Sequence, residues 1–240
     1  MANQRVNRLR ELMKRHDAEA FFVTNDVSRR YLSGFTGTSG YLVITMEEAI
    51  LFTDFRYMTQ AAQQVRGYEI IEHAPKPTDS IREYLQERKV KRLGFEQNDV
   101  SYGTFVTYQT ELAGLELVPA GTLVEKLRVI KDETEIAILR EAAALADRTF
   151  SYILGKLRPG VSEKELDLEM EMYMRKHGAT SSSFETIVAS GERSALPHGV
   201  ASDRLISAGE FVKFDFGAYY KGYCSDLTRT VMLGKPTAKH

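Results

Sequence analysis

Apolar and polar positions alternate along Val212-Lys-Phe-Asp-Phe-Gly217. Val212, Phe214 and Phe216 are separated by Lys213, Asp215 and Gly217, the period of a strand with one buried face. Residues 223–231 are rich in aromatic and β-branched side chains and read as a second strand. Between them Tyr220-Lys-Gly222 supplies a turn, with Gly222 free to take a positive φ. A two-residue turn at Tyr220 and Lys221 sets Asp215 directly opposite Asp226; a three-residue turn with Gly222 at a bulge offsets the pair by about one residue. Directly opposed Cβ atoms lie roughly 4.5–5.5 Å apart, and like charges there destabilise the hairpin. A shared proton or divalent cations held by both carboxylates would compensate. The plainer alternative makes one aspartate a solvated edge residue and the other a turn residue.

Upstream the period changes. Val6, Leu9, Leu12 and Met13 share one face of a helix over residues 3–15, with His16 as a cation at its C-terminal end. Apolar runs at 20–24, 41–45, 49–53, 68–72, 92–96 and 115–118 read as strands. Helices alternate with them. One is capped by Asp54 and carries Tyr57, Met58, Ala61 and Val65; one carries Ile81, Tyr84 and Leu85; one is opened by Ser101 and closed by Gly114. This alternation predicts an α/β unit, a mixed or parallel sheet with helices packed on it. Glycines 34, 37 and 40 read as turns feeding the strand at 41–45, since the run has neither P-loop nor dinucleotide-fold spacing.

A long helix is predicted over 133–157, about 37 Å at ~1.5 Å per residue, with a capping box of Asp132 and Glu135. Ser162 and Glu165 form a second box, opening a helix that runs to His177 and Gly178. His177 reads there as a terminal cation, and the methionines of this helix as core. The expected boundaries are a first domain over 1–122, a linker over 123–131 and a second domain over 132–240.

Composition narrows the function classes. Of 240 residues 43% are hydrophobic and 27% charged, as in a globular protein. The formal net charge of −1 supplies no field to recruit nucleic acid or an anionic membrane. One cysteine, Cys224, excludes an intrachain disulfide and fits a reducing cytosol. The first residues contain no apolar signal-peptide core, and no run approaches the ~18 apolar residues of a membrane span.

One histidine stands apart. In Ala195-Leu-Pro-His-Gly-Val-Ala-Ser-Asp-Arg204, His198 lies between Pro197 and Gly199, and no apolar periodicity makes it a core residue. It reads as a candidate for acid/base work or substrate contact on a rigid, exposed loop. Asp203 and Arg204 read as a surface pair.

Four clustered motifs carry a resemblance: Phe184-Glu-Thr-Ile-Val-Ala-Ser-Gly191, Pro197-His-Gly-Val-Ala-Ser202, Val212-Lys-Phe-Asp-Phe-Gly217 and Ser225-Asp-Leu-Thr-Arg-Thr230. With Tyr31-Leu-Ser-Gly-Phe-Thr-Gly37 and Leu127-Arg-Val-Ile-Lys131 they make the chain resemble the Xaa-Pro peptidases, aminopeptidase P and prolidase, of the pita-bread metallopeptidases. The resemblance implies a creatinase-like N-terminal domain followed by an incomplete pita-bread catalytic domain. It also implies hydrolysis of the peptide bond before proline by two divalent metals, manganese first and cobalt or zinc as alternatives, bridged by a hydroxide.

The family's first two metal ligands fall on Asp215 and Asp226, and its substrate-contacting histidine on His198. Thr228 and Thr230 share a strand face with Asp226 and could support it. A proline-containing peptide is the implied partner and a homodimer the implied assembly, with neither nucleic acid nor membrane.

The family's remaining ligands, one histidine and two glutamates, have no counterpart after Asp226, where the sequence holds no Asp or Glu and where His240 stands too close to serve as the third ligand. The expectation is an N-terminal portion of such a peptidase. Alone it is inactive, binds metal weakly or not at all, and leaves the apolar side of 212–231 uncovered unless a partner or neighbouring chain covers it. The competing readings are a non-catalytic pita-bread scaffold that binds peptide or protein, creatinase-like amidine hydrolysis without metal, and a structural fragment that dimerises through residues 1–120.

Overall fold

The structure, a computed structural model, describes residues 2–238. The chain divides into two compact units, Met1–Ile130 and Lys131–His240. The first contains α1 (Ala2–Met13), β1 (Ala20–Val23), α2 (Asp26–Ser33), β2 (Tyr41–Thr45), β3 (Ala49–Thr53) and α3 (Met58–Gln64). It continues through β4 (Glu69–Glu72), α4 (Pro77–Glu87), β5 (Arg92–Phe95), α5 (Tyr102–Glu111), β6 (Glu116–Pro119) and α6 (Leu123–Val129). The strands form one sheet in the order β4-β3-β2-β1-β5-β6. The pairs β1–β2 and β2–β3 are antiparallel and the others parallel, so the sheet is mixed, as the alternation predicts.

The unbroken apolar runs of β1–β3 follow from burial on both faces of the sheet. Phe21, Val23, Leu42, Ile44 and Leu51 pack with residues of α1, α2, α3 and α6 on one side. Ala20, Phe22, Val43, Ile50 and Phe52 pack with α4 on the other. Within 123–131, the stretch expected to link the domains, α6 contributes Leu123, Val124 and Leu127 to the first of these cores.

One helix of this unit was not predicted and one reading changes. Helix α2 buries Ser28, Arg29 and Ser33 beside Tyr31 and Leu32, so its buried side is not marked by apolar residues alone. Arg29 donates to the carbonyls of Gly37 at 2.7 Å and Gly40 at 2.8 Å, which holds the glycine-rich run as a turn into β2. Asp54 does not cap α3. Its carboxylate accepts from the Arg56 N–H at 3.0 Å and from the Arg56 guanidinium twice at 2.9 Å, and α3 starts later, at Met58.

The second unit contains α7 (Glu133–Leu154), α8 (Glu163–Lys176), β7 (Ser181–Ser182), β8 (Ile187–Ser190), β9 (Phe211–Phe216), β10 (Ala218–Tyr220), β11 (Tyr223–Cys224) and β12 (Leu227–Met232). Both predicted capping boxes are present, Asp132 with Glu135 and Ser162 with Glu165. Two antiparallel three-stranded sheets follow, β12-β9-β8 and β11-β10-β7. Leu145, Ala146 and Ile153 of α7 and Leu166, Met170 and Met174 of α8 form one core with Val188, Val212, Phe214 and Phe216. Leu227 and Val231 of β12 pack against that core, so the apolar side of 212–231, expected to be uncovered, is covered by the helices of this same unit.

The hairpin register also differs from the expected one. The turn residues are Lys221 (φ 48°) and Gly222 (φ 85°), both left-handed, as a two-residue type I′ turn requires. Tyr220 pairs with Tyr223 and Asp215 with Thr228, which moves Asp226 off the position facing Asp215.

Gly217 sits where β9 passes into β10. A Cβ there would lie 1.8 Å from the Ser225 carbonyl oxygen and 2.2 Å from Ser183 Oγ. Ser183 Oγ in turn donates to that carbonyl at 2.7 Å. Backbone and a hydrogen-bonded hydroxyl cannot give way as a flexible side chain would. Gly217→Ala is expected to destabilise the second unit by about 3 kcal/mol or more, at the upper end of overpacking costs, read by urea unfolding of the chain. An unchanged midpoint would refute this account of the crossing.

Candidate active-site face

Strand β9 divides its side chains between two environments. Val212, Phe214 and Phe216 are fully buried in the helical core, whereas Lys213 and Asp215 are half-buried on the opposite face. The register places Ile187 of β8 on one side of Asp215 and Thr228 of β12 on the other. Leu227 packs into the core, so the alternation of β12 puts Asp226, Thr228 and Thr230 on the face of Asp215.

Asp226 precedes β12 by one residue and is exposed. The two carboxylates are therefore diagonal neighbours across the pair β9–β12, a relation of about 7–8 Å between Cα atoms. The expected direct opposition is corrected by the turn: Lys221 takes the left-handed conformation and shifts the pairing by two residues. The diagonal arrangement eases the repulsion that direct opposition would impose.

His198 lies on the loop after the 3₁₀ turn Gly191–Ala195, and its side chain is exposed. The loop backbone is held close. Gly199 is buried, and a Cβ on it would lie 3.0 Å from Ala189 Cβ on β8 and 3.3 Å from the Arg193 carbonyl oxygen. From the face of Asp215, the Lys213 ammonium donates to the carbonyl oxygens of Leu196 and Pro197, the two residues before His198. The structure thus brings the backbone of the His198 loop onto the face that holds Asp215.

One residue of this region, Glu163, went unnoticed in the sequence, and one reading changes. Glu163, the first residue of α8, has a fully buried side chain. Its carboxylate accepts hydrogen bonds from Ser190, Arg193 and Ser202, which flank or belong to the loop. An acidic residue in a first helical turn reads as a partner of the helix end, so only its long-range contacts reveal this placement. Asp203 and Arg204 do not pair with each other: Asp203 meets Lys164 at 3.0 Å, and Arg204 forms a two-pronged pair with Glu210 at 2.5 and 2.8 Å. His177 is the helix-end residue expected of it, with Nδ1 2.7 Å from the Tyr173 carbonyl oxygen and its ring stacked on Tyr173 at 4.0 Å.

Asp215 and Asp226 supply oxygen donors of the kind that divalent cations such as Mg²⁺, Ca²⁺ and Mn²⁺ prefer. They fit a metal in part. Among the described residues no group of three or more His, Cys, Asp or Glu is placed to hold one. His240 lies outside the described residues.

Residues 5–130 match the creatinase/prolidase N-terminal domain family, and residues 137–240 match metallopeptidase family M24. The chain is 50% identical, over 97% of its length, to an uncharacterised peptidase of Bacillus subtilis, of which it spans 66%. Among solved structures it is similar to an Xaa-Pro dipeptidase from Bacillus anthracis, with a TM-score of 0.95, 49% identity and coverage of 100% of this chain and 67% of that one. An X-Pro aminopeptidase from Thermotoga maritima superimposes with a TM-score of 0.89, 34% identity and coverage of 95% and 66%. The chain thus spans about two thirds of the length of the proteins it matches.

The buried Glu163 generates a pH prediction. Burial pushes its carboxyl up, but hydrogen bonds from Ser202 and Ser190 outweigh burial and hold it below its ordinary value of 4.5. A carboxylate held low in the folded state contributes stability above its unfolded value and loses that contribution as pH falls through the folded one. Chain stability in urea is expected to hold between neutral pH and about pH 5 and to fall below about pH 4.5. Glu163→Gln should make that acid limb shallower. An acid limb of the same slope in both proteins would show that Glu163 carries none of it.

Proposed function

The chain belongs to metallopeptidase family M24 and carries a creatinase/prolidase N-terminal domain, and from this premise we propose that it is the part of an Xaa-Pro peptidase that supplies two carboxylate donors and one substrate-facing histidine. One observation carries the reading: Asp215 and Asp226 share a strand face, and Lys213, on that same face, holds the backbone next to His198.

In this reading Asp215 and Asp226 hold a divalent cation through their carboxylate oxygens, and further donors complete the site. When bound, such a cation supplies Lewis acidity at the scissile carbonyl. Manganese is the proposed metal, on the resemblance of the motifs. Exposure of Asp226 and half-burial of Asp215 keep both carboxylates open to an incoming peptide.

His198 donates an N–H to the oxygen on which negative charge develops when the bond before proline is attacked, a contact that strengthens toward the transition state. Pro197 before it and Gly199 packed on β8 after it limit its freedom, so less entropy is lost when the substrate docks. Both dipeptides and longer Xaa-Pro peptides fit the reading, since the similar solved structures include an Xaa-Pro dipeptidase and an X-Pro aminopeptidase. A homodimer is part of it on the same resemblance, and a cytosolic place on the single cysteine, Cys224.

Calorimetric titration with Mn²⁺, paired with hydrolysis of an Xaa-Pro dipeptide in the same tubes, tests the proposal. With two donors, binding by this chain is expected to be weak and hydrolysis undetectable. Asp215→Ala and Asp226→Ala should each lower the Mn²⁺ affinity by about tenfold or more. Binding indifferent to both substitutions would remove the metal assignment and favour a non-catalytic peptide-binding scaffold. Hydrolysis that depends on both aspartates would mean that this chain supplies the remaining donors itself.

A further inference from the structure

Glu163 is buried at the start of α8, yet its partners lie elsewhere in the chain. One oxygen, Oε1, accepts from Ser190 N at 2.8 Å and Ser190 Oγ at 2.9 Å, where β8 ends and the His198 loop begins. The other, Oε2, accepts from Ser202 N at 3.0 Å and Ser202 Oγ at 2.6 Å, where the loop ends. Arg193, inside the loop, donates Nε to Oε2 at 3.2 Å and spans the loop to the Val200 carbonyl oxygen at 2.6 Å. A single carboxylate therefore receives both ends of residues 191–201 and a side chain from within them.

A buried carboxylate is tolerated only while its hydrogen bonds are made. Here those bonds exist only when both loop ends are seated. The carboxylate itself is fixed by α8, whose Leu166, Met170 and Met174 are fully buried. Loop geometry is thereby tied to a rigid helix, not to the surface. We propose that Glu163 is a positioning residue for His198, a role that rests on the substrate-facing part assigned to that histidine above. Glu163 touches no substrate; it fixes the backbone from which the imidazole projects.

Hydrogen exchange and histidine side-chain NMR on the full chain test this in Glu163→Gln and in the milder Ser202→Ala, with the His198 signals identified by their loss in His198→Gln. Amides of residues 191–201 are expected to exchange about tenfold faster or more in Glu163→Gln, and a few-fold faster in Ser202→Ala, the scale of one or two lost hydrogen bonds. His198 signals should shift or broaden, while amides of α7 and α8 and the His177 signals hold. Unchanged loop exchange and unchanged His198 signals in either folded variant would overturn the proposal. Equal loosening of α7, α8 and the loop in Ser202→Ala would overturn it too, because the bond would then serve general stability. Addition of an Ala-Pro dipeptide to the parent chain separates this failure from that of the function. A loosened loop in the variants with no peptide response of His198 in the parent keeps the clamp and removes the histidine's substrate role.

Discussion

The pairing register of β9 is the constraint on which the second unit depends. Its side chains alternate between a core of buried Val212, Phe214 and Phe216 and a face with Lys213 and Asp215. A slip of one residue would exchange the two sets, driving a carboxylate and an ammonium into contact with α7 and α8 while exposing two phenylalanines. The burial of those phenylalanines, of order 1.5–3 kcal/mol each, therefore fixes where the polar face lies. The type I′ turn at Lys221 and Gly222 fixes the register from the other end. Gly217 admits the Ser225 carbonyl where no Cβ would fit, so the chain can leave one sheet for the next without losing register.

That constraint also explains which parts of the site were legible in the sequence. The alternation in 212–217 gave the face of Asp215, because period 2 is visible in the residues themselves. The register was not legible. It depends on which residue enters the left-handed region, and a lysine does so at a cost that glycine does not bear. Lys221 also pairs within its own unit, with a 2.7 Å ion pair to Glu141 on α7. The long helices were legible because both have capping boxes and apolar stripes. Helix α2 was hidden by its buried arginine and serines, and Asp54 misled because an Asx carboxylate serves a turn with Arg56 as readily as a helix cap.

Glu163 was illegible for a different reason. Nothing local marks it as buried, whereas Glu165, the next glutamate of the same turn, is exposed and closes the capping box with Ser162. Spacing along the helix assigns the box to Glu165, and that assignment holds. What separates the two glutamates is the direction each faces, and direction is set by the packing of α8 against the core through Leu166, Met170 and Met174. One glutamate ends in solvent and the other beneath a loop whose residues lie 27 to 39 positions further on.

The His198 loop gains its placement from two elements, α8 and β9, and from the segment that follows it. Glu163 of α8 holds its two ends, Lys213 of β9 holds the carbonyls of Leu196 and Pro197, and Arg204 reaches Ser190 Oγ at 2.6 Å while paired with Glu210. Each tether is polar, and those of Glu163 and Arg204 are partly or wholly withdrawn from water, which makes them directional in a way that apolar packing is not. A loop held only by apolar contacts could slide across β8 at little cost. This one would have to strand a buried carboxylate to do so. In the role proposed for His198 that property matters more than stability, since a displacement of about 1 Å is enough to cost a reaction roughly a hundredfold.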